Sequence, residues 1–163
     1  MTEQNKTPAE IEIVAFTGHR PNGFKDWPST QKKLSDLNGE LAGLLRVLKP
    51  AKAFSGMALG FDMLAAKLCV QLGIPFIAAV PFRGQELLWP EADQVEYHKL
   101  LFQAEQVRIL QESHYGSVYD ERNEHMVDNS TRVIAAYAKH PGGTKNCIDY
   151  ARLAKRPIHF LDL

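Results

Sequence analysis

The sequence has no excess of charge of either sign: its 163 residues carry 19 lysines and arginines against 19 aspartates and glutamates. Without a net field, nothing draws the whole chain onto nucleic acid or an anionic membrane, and a nucleic-acid partner is not expected. Long apolar runs are missing too. The longest cover only a few residues, far short of a membrane span, and the N-terminal MTEQNKTPAE lacks the apolar core of a signal peptide, so the expected location is the cytoplasm. Cysteine is scarce. Cys69 and Cys147 are far apart, each inside a helix-like pattern, which reads as two packed thiols rather than a disulfide. No Cys/His cluster has zinc-ligand spacing, so no metal is expected.

What is present suits one compact fold, with 45% apolar and 23% charged residues. The expected organisation is a flexible segment over 1–10 and a single domain over 11–163. Six short apolar runs, IEIVAF, AKAFS, PFIAAV, VRIL, RVIAAY and PIHFL, have the length and near-continuous apolarity of strands buried on both faces. Helix-period segments separate them. Leu34, Leu37, Leu41, Leu44, Leu45 and Leu48 form one stripe behind Ser29, a candidate N-cap, and Phe61, Leu64, Ala65, Leu68 and Leu72 form another, closed by Gly73. This order predicts an α/β, Rossmann-like doubly wound, mostly parallel sheet flanked by helices, with any ligand at the carboxyl ends of the strands.

The loops after the strands carry the chemistry. After the first run comes TGHRP, where Thr17, Gly18, His19 and Arg20 combine close backbone approach with donors for a phosphate or base. An ordinary tight turn stopped by Pro21 accounts for the same residues. After the second comes SGMALGFD, in which Gly56 and Gly60 bracket a loop running into a helix. Free backbone amides and the positive end of the helix dipole would face one point there. Ser55 adds a hydroxyl. Asp62 falls in the helix's first turn, where a carboxylate either serves the dipole or accepts from a ribose. After the fifth run comes HPGGTKNC, where Gly142 and Gly143 lead into a helix and Thr144 is an N-cap or a phosphate ligand. A hairpin turn at that glycine pair does not fit a parallel sheet.

Two further segments compete with simpler explanations. Gln85, Glu86 and Trp89 follow the third run and would rim the site, Trp89 offering a flat surface to a base, although a tryptophan packs into a core more often. Arg122, Met126 and Asn129 fall close to one helix face, and Arg122 and Asn123, ahead of the fifth run, are within reach of a ligand, although periodicity alone reads that charged run as solvated.

Taken together, TGHRP, SGMALGFDMLAA, PFRGQELLW, RNEHMVDNS and GGTKNCIDYA resemble, in order and over nearly the whole chain, the YpsA-like branch of the SLOG superfamily. That resemblance implies a Rossmann-like fold that binds a nucleotide or a nucleotide-derived ligand such as ADP-ribose, and association into a homo-oligomer. It also implies that Gly18, Gly56, Gly60, Gly142, Gly143 and Thr144 line the pocket. The DprA proteins and the LOG phosphoribohydrolases are relatives. LOG enzymes pair an arginine with a methionine four residues on, matched here by Arg122 and Met126, and carry a PGGxGTxxE loop whose glutamate is catalytic. Here the loop is shortened and the position three after Thr144 is Cys147.

N-glycosidic cleavage needs a carboxylate to stabilise an oxocarbenium-like state, so losing it costs several kcal/mol of barrier. Arg122, Glu86 and Asp62 are the remaining catalytic candidates, with Asp149 a further acid. The leading expectation is therefore binding or sensing of a nucleotide-type ligand, with no cofactor required. Cleavage of a nucleoside 5′-monophosphate is the alternative. Single-strand nucleic-acid binding in the manner of DprA ranks below both, because the chain has no extra basic or aromatic-rich stretch.

Overall fold

The computed structural model describes residues 11–24 and 30–163. Strands and helices alternate through it: β1 (Ile13–Gly18), a 3-10 turn (Pro21–Phe24), α1 (Thr30–Leu48), β2 (Lys52–Ser55), α2 (Phe61–Leu72), β3 (Phe76–Phe82), α3 (Glu91–Gln103), β4 (Gln106–Gln111), α4 (Val118–Asp128), β5 (Arg132–Ala136), α5 (Gly143–Leu153) and β6 (Ile158–Phe160). The segment 1–10 and the Ser29 cap expected from sequence lie outside the described residues. No described helix is long and apolar enough to cross a membrane.

All pairings are parallel, and the order across the sheet is β4-β3-β2-β1-β5-β6. From β1 the chain builds outward through β2, β3 and β4, then returns to the other side of β1 for β5 and β6. The order reverses between β1 and β5, which leaves a crevice beyond their carboxyl ends. Gly18 and Ala136 pair at that end.

Alternation along the strands feeds two cores. Val14, Phe16, Ala78, Val80 and Ile134 face α1, α2 and α3, while Ala15, Phe54, Ile77, Ala79 and Val133 face α4 and α5. The leucine stripe of α1 lies where its period puts it, with Leu37, Leu41 and Leu45 fully buried. Helix α2 is apolar nearly all round and ends at Gly73, whose left-handed φ of 70° closes it as expected. The expectation of burial on both faces holds for β1, β3 and β5 but not for β4 or β6. These are the sheet's edges, and their residues are half-buried or exposed.

The α1 stripe supports a direct comparison. Leu41→Ala removes a fully buried side chain and should cost about 2–5 kcal/mol. Val47→Ala, at a position 79% exposed on the same helix, should shift stability by less than about 0.5 kcal/mol. Urea unfolding of the two variants checks the pair; equal losses would mean that α1 does not pack along this stripe.

Candidate functional site

A cleft of about 570 Å³ opens at the carboxyl ends of β1 and β5, where the strand order reverses. This volume is ordinary for a small-molecule site. Four segments wall it: Thr17–Arg20 with Asn22 and Gly23 after β1, Ala58 and Asp62 after β2, one face of α4, and His140–Thr144 with Asn146 after β5.

Among the described residues two acids line the cleft, Asp120, which is exposed, and Asp62, which is buried. Asp62 sits in the first turn of α2 and is 5% exposed. Its Oδ2 accepts a long hydrogen bond, 3.4 Å, from the Ala58 amide, and its Oδ1 has no hydrogen-bond partner. Burial pushes its pKa up to about 6; Arg122, the Ala58 amide and Arg20 oppose that rise. A buried oxygen without a partner costs free energy in the empty protein and marks a place where a donor is wanted.

The β2–α2 loop is tied down from three sides. Ser55 Oγ donates to the Asp62 carbonyl at 2.8 Å and accepts from the Met57 amide at 3.2 Å. The Gly56 carbonyl accepts from Arg122 Nη1 at 2.8 Å and from Gln85 Nε2 at 3.3 Å. A Cβ on Gly56 would lie 2.4 Å from that arginine nitrogen, and one on Gly60 would lie 2.7 Å from the His19 carbonyl. Both glycines therefore permit close approach of protein to protein. The first amide of α2, on Phe61, is already spent on the His19 carbonyl at 3.3 Å.

Helix α5 is different. Its first turn-closing bond runs from the Asn146 amide to the Gly142 carbonyl at 3.0 Å, so the amides of Gly143, Thr144 and Lys145 precede the helical ladder. Pro141 to Thr144 line the cleft, and Asn123 Nδ2 holds the Gly143 carbonyl at 3.2 Å. An anion placed there would meet unspent amides and the positive end of the helix.

Arg122 and Asn123 are buried on α4, at 7% and 5% exposure, with Met126 beneath them. This overturns the reading of the run as a solvated face: only the intervening residues, such as Glu124 and Asp128, are exposed. Burial lowers the Arg122 pKa from its usual value, and Asp62 partly restores it. Arg122 Nε also donates to Asn123 Oδ1 at 3.0 Å. Asn129 turns back to the His125 carbonyl at 2.7 Å. At the cleft mouth Arg20 is exposed. His19 Nε2 accepts from the Ala138 amide at 2.8 Å, which leaves the ring proton on Nδ1. Burial, with His140 nearby, lowers the His19 pKa.

Of the sequence candidates, Thr17, Gly18, His19, Arg20, Asp62, Arg122, Asn123, Gly142, Gly143 and Thr144 all line one cleft. Ser55, Gly56 and Gly60 support its wall from behind. Gln85 braces the same loop, also donating to Met57 O and Tyr97 Oη at 3.4 Å. Trp89 packs edge-on against Tyr97 in the core under α1, α2 and α3, away from the cleft. Glu86 is buried against His98 at 3.4 Å, and Asp149 is exposed in a pair with Lys145 at 2.7 Å. Cys147 lies fully buried, and desolvation first of all pushes its thiol up to about 11, against the pull of Thr17 and Arg122. Sequence reasoning missed Tyr119, which lines the cleft one turn before Arg122. The spacing 119, 122, 123, 126 held the signal.

Comparison with known proteins agrees with this architecture. The YpsA family profile, described as the YspA SLOG family, matches residues 14–158. An uncharacterized SPbeta prophage-derived protein, YoqJ of Bacillus subtilis (strain 168), is 30% identical over 142 residues, 76% of this chain and 82% of its own. DNA processing protein A (DprA) from Streptococcus pneumoniae superposes with a TM-score of 0.67 at 20% identity, over 94% of this chain. The Helicobacter pylori DprA, described for its unique single-stranded DNA binding mode, does so with a TM-score of 0.64 at 21% identity, also over 94%. The chain spans 51% and 66% of the length of these two structures, and at such identities they speak to the fold. By the match over residues 14–158, the chain belongs to the YspA SLOG family.

Proposed function

We propose that the cleft binds a nucleotide or nucleotide-derived small molecule, its phosphate on the first turn of α5 and a sugar hydroxyl on Asp62. One observation carries this reading: the unpartnered Asp62 Oδ1, buried in the same cleft as the open amides of α5. A hydroxyl donated to Asp62 would satisfy that oxygen and make the carboxylate easier to ionise. Arg122 supplies charge for the phosphate, while Asn22 and Asn146 offer amides around it.

A second reading, cleavage of a nucleoside 5′-monophosphate at its N-glycosidic bond, is favoured by the placement of one acid. Among Asp62, Glu86 and Asp149, only Asp62 lines the cleft, and a carboxyl poised near pH 6 suits proton transfer. Incubation with nucleoside monophosphates and chromatography for free base decides it. The single-stranded DNA binding described for the Helicobacter pylori DprA makes an oligonucleotide a third ligand to try. Binding that weakens steeply with salt would mark phosphate-backbone recognition.

Ligands that bind the folded chain raise its melting temperature by mass action. A thermal-shift panel of nucleoside phosphates and ADP-ribose derivatives should therefore contain a stabiliser, and silence across the panel would sink the binding reading. Against the best stabiliser, Asp62→Asn should weaken affinity about tenfold, since a hydrogen bond to a charged group becomes one to a neutral group. Gly56→Val should weaken it too, because the new side chain displaces Arg122.

The empty protein makes a separate pH prediction. An ordinary aspartate titrates near 3.8, whereas folded Asp62 titrates near 6. Between these values the folded chain holds more protons than the unfolded one, so stability falls as pH rises through the window. Asp62→Asn should therefore gain on the wild type from pH 4 to pH 7, by on the order of 3 kcal/mol. Urea unfolding at the two pH values measures it, and a pH-independent difference would show that Asp62 titrates normally.

A further inference from the structure

The amide-lined end of the cleft and Asp62 account for a phosphate and a sugar hydroxyl, but neither offers a surface to a planar base. Trp89, the aromatic that sequence suggested, is turned into the core. Among the described residues, the six-membered aromatic rings that line the cleft are Phe16 and Tyr119. Phe16 is wholly buried against Phe61. Tyr119 is half-buried, at the mouth, one turn of α4 from Arg122.

Its surroundings fix the ring. Phe82 and His114 pack against it near edge-to-face, with centroids 6.0 and 5.8 Å away. The guanidinium carbons of Arg20 and Arg122 lie over it at 5.7 and 5.9 Å from the centroid. Arg122 is buried and committed to Gly56 and Asn123. Arg20 is exposed, on the loop after β1, so burial does not hold its head in place over the ring. A movable cation held over an oriented aromatic ring leaves a place a nucleobase can enter, because every base has a π-face for the ring and acceptor edges for the guanidinium.

We propose that Tyr119 is the stacking surface for the base of the ligand, with Arg20 closing over it. The inference rests on the nucleotide reading of the cleft and adds to it a residue that distinguishes a nucleotide from a bare sugar phosphate. It also assigns a division of labour: α5 and Asp62 hold the part common to both ligands, and Tyr119 holds the part that only the nucleotide has.

Calorimetric titration of the four common nucleoside 5′-monophosphates, with ribose 5-phosphate as the reference, separates these parts. The wild type should bind its preferred nucleotide more tightly than ribose 5-phosphate. Tyr119→Ala should erase that preference, a loss of roughly 5- to 100-fold for the nucleotide, and leave ribose 5-phosphate unchanged. Tyr119→Phe should restore it, since the ring and not the hydroxyl does the stacking. Equal weakening of both ligands in Tyr119→Ala would overturn the proposal by showing that the residue shapes α4. An unchanged nucleotide affinity would overturn it as well. Failure of the wild type to bind any of the five compounds would overturn this inference for mononucleotides, and silence of the wild type toward the ADP-ribose derivatives of the thermal-shift panel as well would reject the nucleotide reading with it.

Discussion

The hydrogen bond from Arg122 to the Gly56 carbonyl joins the two halves of the molecule. Gly56 follows β2 in the half built outward from β1, while Arg122 belongs to α4, the helix by which the chain returns to β5. Gln85 reaches the same carbonyl from the far side of the loop. One backbone oxygen thus fixes the β2–α2 loop, the start of the β3–α3 connection and the middle of α4 relative to one another. Glycine leaves room for the guanidinium there, and a side chain at this position would push it away.

That bond places a full positive charge where burial disfavours one, and the arrangement is tolerable because a carboxylate shares the site. Asp62 and Arg122 each perturb the other in the compensating direction, yet burial outweighs the attraction in both. They make no direct hydrogen bond, so neither is satisfied by the other. A fold selected for stability alone would fill this space with apolar side chains. Retention of a buried carboxylate oxygen without a donor at the crevice of a doubly wound sheet is the pattern expected where a ligand supplies the missing contact.

The parts of this arrangement that depend on local chemistry were readable in the sequence. The leucine stripe of α1, the closing glycine of α2 and the Gly142–Gly143 pair ahead of α5 all act within a few residues of themselves, so composition and period reveal them. Arg122 was harder. It lies among Asp120, Glu121, Glu124 and His125, and a window average makes that stretch look solvated, although positions 119, 122, 123 and 126 share the inward face. Burial of a charge depends on partners 66 residues away in the chain, and no local rule encodes them. Trp89 gave a false lead for the converse reason. Its place after β3 suggested the cleft rim, but its apolar area is better buried against Tyr97. The edge positions of β4 and β6 follow from strand order, which apolarity alone does not fix.

The shortened loop ahead of α5 has a chemical consequence. A carboxylate three residues after Thr144 would project from the helix face that instead carries Cys147, and that face packs against β1 and the core under α4 and α5. Cys147 has no thiolate to offer near neutral pH, since burial holds its proton. The buried acid of this cleft stands at the other end, on α2, at Asp62, while Asp120 on α4 is exposed at its wall. In the nucleotide reading the acid and the phosphate-holding amides come from different elements, α2 and α5, but they share one cleft and are electrostatically coupled. A bound phosphate on α5 would raise the Asp62 pKa further through like-charge repulsion, whereas a hydroxyl donor would lower it. The direction in which Asp62 moves on binding thus distinguishes an acid held neutral for proton donation from a carboxylate that grips a sugar.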